Sequence, residues 1–187
     1  MKVNLPNNID YTIYNSKDGL ATKQWGPSSW QFLFTIIMGR YPYKLKNTKE
    51  HKIIKKHFKS LLTGLQYILP CVFCRNSFRD FLKELPINKF LVGRIELMYW
   101  LYLMKDKVNK KLIKQERICY NDEKKRLKKL YTSKKLLESE YYKLIGDFKS
   151  KTFKTIPTPP FREVLDKYES IRAVCSKRSL SCVIPEL

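Results

Sequence analysis

An all-α fold follows from three observations. Apolar residues recur at spacings of three and four along four successive segments. Prolines punctuate the chain at the borders of those segments. No stretch carries the sustained apolar–polar alternation of a half-buried strand. Short connections between four such segments predict a four-helix bundle, with additional helices toward the C-terminus.

Residues 1–22 read as an irregular arm, with Pro6, Asn7, Asn8 and an Asp18-Gly19 turn signal. Trp25-Gly26-Pro27-Ser28-Ser29-Trp30 predicts a helix start, because proline suits the first turn and serine can cap unpaired N–H groups. Trp30, Leu33, Phe34, Ile37, Met38 and Tyr41 then share one face, and Tyr41-Pro42 ends the helix. A second helix carries Ile53, Ile54, Phe58, Leu61, Leu62, Leu65 and Ile68 up to Pro70. A third carries Cys71, Cys74, Phe78, Phe81 and Leu82 and stops before Pro86. A fourth is built on Leu97, Met98, Leu101, Met104, Val108 and Leu112. Residues 120–150 predict a fifth, lysine-rich helix with a thin apolar stripe. Thr152 to Pro160 holds Pro157, Pro159 and Pro160 and predicts an extended linker, which would let the segment beyond it swing. A short helix over about Phe161 to Val174 closes the series. The chain thus divides into an arm (1–22), a helical bundle (23–119) and a C-terminal region (120–187) of lysine-rich helix, proline linker and cysteine tail.

The 187 residues, 43% apolar and 13% aromatic, suffice for one sizeable core. No apolar run is long enough to span a membrane, and Met1 to Asp10 lacks the apolar stretch of a signal peptide. The net charge of +21 invites a nucleic-acid reading. However, alanine occurs only at Ala21 and Ala173, while Lys, Asn, Ile and Tyr abound. That bias matches AT-rich codons, and no groove-reading motif accompanies the charge. Specific nucleic-acid binding is therefore not expected.

Pro70-Cys71-Val72-Phe73-Cys74 is the most informative motif. Two thiols at this spacing on a first helical turn can close a disulfide, and the helix N-terminus lowers a thiol pKa there. The alternatives are half of a zinc site or two buried thiols. The other cysteines, Cys119, Cys175 and Cys182, form no second CxxC, and His51 and His57 have no ligand spacing. Cysteine bookkeeping thus favours a redox dithiol and no metal.

Trp-Gly-Pro-x-x-Trp, Tyr-Pro, Pro-Cys-x-x-Cys and then Trp plus Val-Asn-x-x-Leu, in that order, resemble the Erv/ALR-type FAD-linked sulfhydryl oxidases. The likeness is greatest to the branch of large DNA viruses and protists, and it runs from Trp25 to about Leu112. It implies a small helical bundle that binds FAD and often forms a homodimer. Cys71 and Cys74 become the redox pair, with Cys74 against the flavin as its charge-transfer thiolate and Cys71 facing the incoming disulfide. Gly26, Trp30, Phe34, Tyr102, Lys105, Val108, Asn109 and Lys111 become the cofactor-binding residues. Phe73, Tyr99 and Trp100 could also line an aromatic slot, though for Phe73 and Trp100 an ordinary core role is at least as good a reading. The family usually has His at the position of Phe34, His-Asn at Lys105-Asp106, and often Arg at Pro27.

The function implied is oxidation of reduced dithiol proteins, with electrons passing through FAD to molecular oxygen and hydrogen peroxide as product. A second, mobile pair, Cys175 and Cys182, is the shuttle candidate; alternatively Cys175 pairs with Cys119 as a staple. The rival function is a flavin-free basic scaffold that holds acidic partners or nucleic acid. The expected location is the cytoplasm or virion for a viral protein, or the mitochondrial intermembrane space for a cellular one, with neither secretion nor membrane insertion.

Overall fold

The computed structural model describes residues 19–173. Among them are six α-helices, one 3-10 turn and no named strand: α1 (Thr22–Arg40), α2 (Lys49–Ile68), α3 (Val72–Glu84), the turn Ile87–Phe90, α4 (Arg94–Thr132), α5 (Glu138–Thr152) and α6 (Phe161–Glu169). The all-α expectation holds. The described residues fall into two compact units, 19–101 with 165–173, and 102–164.

In the first unit the periodicity predicts most of the core, but Ile53, Leu61 and Ile68 of α2, expected on its apolar face, are exposed. Leu33, Phe34, Ile37 and Met38 of α1 are buried with Ile54, Leu62 and Leu65 of α2, Phe78 of α3, and Leu97, Met98, Trp100 and Leu101 of α4. Tyr41 ends α1 fully buried, its ring edge-on to Phe58 and its hydroxyl donating to the Leu91 carbonyl at 3.2 Å. Burial pushes that phenol up to about 12. The Trp100 indole N–H donates to the Leu85 carbonyl at 3.0 Å, satisfying the one polar atom of a fully buried side chain. Gly93 lies where a Cβ would meet the Tyr43 carbonyl and the Glu96 carboxylate, so the approach to α4 needs glycine.

Helix α1 begins earlier than its Gly-Pro-Ser-Ser signal. It starts at Thr22 and includes Pro27. Ser29 does not cap; its hydroxyl donates back to the Trp25 carbonyl at 2.9 Å, an intrahelical bond. The start is held instead by the Trp25 indole N–H on the Leu20 carbonyl, at 3.1 Å.

In the second unit α4 runs unbroken through residue 120 to Thr132, where a separate fifth helix was expected to begin. Lys, Glu, Gln, Arg, Leu and Ile between 112 and 131 are helix formers with no Pro or Gly among them. The break comes at Lys134, which takes a left-handed φ of 56°. Helix α5 then starts at Glu138, where Glu140 accepts the Leu137 N–H at 3.0 Å. Tyr131 stacks on Tyr141 at 5.2 Å, and Leu127 is buried.

Residues 153–160 are extended, as their prolines require, yet they are not a swinging linker. The Glu116 carboxylate accepts the Thr155 hydroxyl at 2.6 Å and the Thr155 N–H at 3.0 Å. Asn109 donates to the Thr158 hydroxyl at 2.9 Å. These bonds hold the segment against α4.

Candidate redox site

Pro70 cannot continue α2, and the chain turns there into the CxxC motif. Cys71 adopts an extended conformation as the N-cap of α3, and its sulfur accepts the Cys74 backbone N–H at 3.3 Å. The sulfur does the work of a serine or aspartate cap, a role that favours its anion. Cys74 sits in the first turn, 3.6 Å from the Thr22 hydroxyl of α1. Both cysteines are half-buried. Partial burial pushes the Cys71 thiol up, but hydrogen bonds from the Cys74 side chain and amide, the Thr22 hydroxyl and the Phe73 amide outweigh it. The net result lies below the ordinary thiol range. No group of metal-ligating side chains occurs among the described residues.

The segment before α1 is pinned to this motif. The Leu20 N–H donates to the Pro70 carbonyl at 3.0 Å, and Gly19 pairs with Cys71. Gly19 has φ 77°, and a Cβ there would run into the Pro70 carbonyl. Apolar side chains next to the dithiol in sequence, Tyr67, Ile68 and Phe73, face solvent, as does Leu20, whose backbone is bound to Pro70; all four are 66–70% exposed.

Of the residues expected to bind a cofactor, Gly26 is buried and Trp30 half-buried on α1. Thr22, Gly26 and Trp30 recur every four residues, so the helix face that reaches Cys74 also carries them. Phe34 is 1% exposed and stacked on Tyr168 of α6 at 5.1 Å, an aromatic partner no local pattern announced. In the second unit Tyr102, Lys105, Val108, Asn109 and Lys111 are half-buried along α4. Tyr102 packs on Phe161 at 5.3 Å. Trp100 is core, whereas Phe73 is 70% exposed and Tyr99 41% exposed, so the core reading fails for Phe73. Thr22 was missed because it lies in what reads as an irregular arm; a lone hydroxyl there carries no signal. Cys119 is an exposed free thiol, and Cys175 and Cys182 lie outside the described residues, as does the arm up to residue 18.

The family model described as Erv1 / Alr matches residues 27–131, more than half of the chain. The chain belongs to the Erv1 / Alr family. A probable FAD-linked sulfhydryl oxidase of Acanthamoeba polyphaga mimivirus is 28% identical over 82 residues, which cover 43% of this chain and 53% of that protein. The chain therefore spans about half the length of this curated relative. Among solved structures, the yeast Erv1 core is 30% identical, covering 51% of this chain and 74% of that one, with a TM-score of 0.42. A double cysteine-to-serine variant of Saccharomyces cerevisiae Erv1 is 28% identical, covering 58% and 84%, also with a TM-score of 0.42. The Erv1 / Alr match spans all of α2 and α3, and hence the dithiol, and most of α1 and α4. No described helix is long and apolar enough to cross a membrane.

Proposed function

We propose that this chain is an FAD-dependent thiol oxidase that makes disulfides in reduced protein substrates, with molecular oxygen as final acceptor and hydrogen peroxide as product. The observation that carries the reading is the CxxC geometry: Cys71 caps α3, Cys74 follows in the first turn, and the Cys71 thiol is acidified.

The residues available suit the cofactor. Phe34 is buried against Tyr168 and offers no accessible face, whereas Trp30 offers an aromatic one, and Lys105 and Lys111 offer cations suited to a diphosphate, as point charges rather than planar donors. Trp30, Lys105 and Lys111, with Gly26, Tyr102, Val108 and Asn109, are the residues we assign to FAD. Bound FAD supplies a two-electron acceptor that oxygen can regenerate.

The protein's own part is thiol–disulfide exchange. A substrate thiolate attacks Sγ of Cys71 in the Cys71–Cys74 disulfide, forming a mixed disulfide and releasing the Cys74 thiolate beside the Thr22 hydroxyl. A second substrate thiolate then attacks the substrate sulfur of that mixed disulfide and releases the Cys71 thiolate. The substrate gains one disulfide; the pair gains two electrons, and two protons leave the substrate thiols. The lowered pKa of Cys71 makes it a good leaving group in this second step. The exposed Leu20, Tyr67, Ile68 and Phe73 support a protein substrate, since such side chains give a dithiol peptide apolar surface on which to rest.

We assign Cys175 and Cys182 as the shuttle pair that relays electrons from substrate to Cys71. A Cys119–Cys175 staple is the competing arrangement, and mass mapping of the non-reduced protein separates the two. A homodimer is the assembly implied by the family, tested by sedimentation of the FAD-loaded chain. The reading as a whole is tested by titrating the purified protein with FAD and following oxidation of a dithiol. A yellow protein that consumes oxygen supports it; a colourless, inert one refutes it.

A further inference from the structure

Four contacts run in reverse order along α4 and the extended segment after α5. Tyr120 packs on Phe153, Glu116 binds Thr155, Asn109 binds Thr158, and Tyr102 packs on Phe161. Positions 102, 109, 116 and 120 fall on one face of a helix. The segment 153–161 is thus a strap laid antiparallel along the face of α4 that carries Tyr102 and Asn109. It is stiff by composition: Pro157, Pro159 and Pro160 fix their own φ and drive Ile156 and Thr158 into extended backbone. A strap pinned by two aromatic pairs and the Glu116 carboxylate is a brace rather than a lid.

The brace determines which end of the Asn109 amide faces it. The Ile156 carbonyl can only accept, and it lies 3.4 Å from the Asn109 nitrogen; the Thr158 hydroxyl takes the other N–H at 2.9 Å. Both donors of the amide are therefore directed at the strap, and Oδ1 is its remaining polar atom. We infer that Thr158 is a positioning residue, which turns the Asn109 Oδ1 outward as an acceptor for a ring N–H of FAD. The inference rests on the assignment of Asn109 to FAD made above. Thr158 touches no cofactor in this account; it acts only through Asn109.

The test compares the full-length chain with Thr158→Val, which keeps the shape but loses the hydroxyl, and Thr158→Ser, which keeps the hydroxyl. FAD affinity is read by titration, the absorption spectrum of bound FAD is recorded, and the melting temperature is taken without FAD. Losing one oriented hydrogen bond predicts that Thr158→Val weakens FAD binding about fivefold. Thr158→Ser should restore it to within about twofold, with unloaded melting temperatures equal across the three proteins. Should Thr158→Val unfold the strap, hydrogen exchange over 153–161 reports it, and Glu116→Ala, which frees the strap without touching Asn109, must then weaken FAD binding in the same direction. Unchanged or tighter FAD binding in Thr158→Val and Glu116→Ala overturns the inference alone, tighter binding meaning that the strap competes with the cofactor. Absence of FAD binding by the unaltered chain overturns the cofactor assignment and this inference with it.

Discussion

The backbone N–H of Cys74 points at the sulfur of Cys71, 3.3 Å away, so one cysteine of the motif caps the helix that carries the other. The electrostatics of a helix end are thereby delivered to a single sulfur. No cation side chain is among the causes of the lowered Cys71 pKa; the hydrogen bonds come from the Cys74 thiol, the Cys74 amide, the Thr22 hydroxyl and the Phe73 amide.

A pH dependence follows. Because the folded-state pKa of Cys71 is lowered, its contribution to the stability of the reduced protein is fully present above the pKa of an unfolded thiol. It is lost as pH falls through the lowered folded value. Alkylation of Cys71 in the reduced chain should accordingly stay fast at pH values where a small-molecule thiol has already slowed. In Thr22→Val one of the stabilising hydrogen bonds is gone, and the midpoint of the alkylation rate against pH should move up. A midpoint equal to that of a free thiol in both proteins contradicts the capping account.

Gly19 is the hinge of the pin that ties the start of α1 to Pro70. With φ at 77° and the Pro70 carbonyl where a Cβ would be, Gly19→Val meets both backbone strain and a collision. A loss of more than about 1 kcal/mol is expected. Thermal unfolding checks it, and the Cys71 alkylation midpoint should shift in the same variant, since Gly19 pairs with Cys71.

Trp100 is fully buried and its indole N–H holds the Leu85 carbonyl. Trp100→Ala should cost about 3–5 kcal/mol through the cavity it leaves. Trp100→Phe should cost less but still leave the Leu85 carbonyl without this donor, at about 1–3 kcal/mol. Denaturant unfolding of the two variants measures both, and equal stability to the parent chain would show that this contact is dispensable.

Lys105 is among the residues assigned above to FAD, as a cation for its diphosphate. Lys105→Glu should weaken FAD binding by placing a negative charge near the diphosphate. An FAD dissociation constant unchanged by the substitution would make Lys105 a solvated helix-face lysine.

The first four helices and their buried faces were legible because their apolar residues repeat with the helical period; Leu33, Phe34, Ile37 and Met38 are the plainest case. The dithiol was legible because CxxC after proline combines a helix start with two sulfurs. What escaped has a common physical character. The break at Lys134 uses a left-handed lysine with no glycine to announce it. The role of Thr22 depends on a single hydroxyl 52 residues from its partner Cys74. The docking of the proline segment depends on Glu116 and Asn109, polar residues whose partners lie 39 and 49 residues away. Single polar contacts over such separations leave no periodic trace, whereas apolar faces do. Proline composition correctly indicated extended backbone, but it is silent on whether that backbone is held.

The most direct measurement of the central claim is oxygen consumption by the FAD-loaded chain with a small dithiol, compared with Cys71→Ser and Cys74→Ser prepared in the same way. The account predicts turnover in the parent chain and none in either variant, because making and breaking one disulfide needs both sulfurs. Turnover retained in either single variant would contradict it.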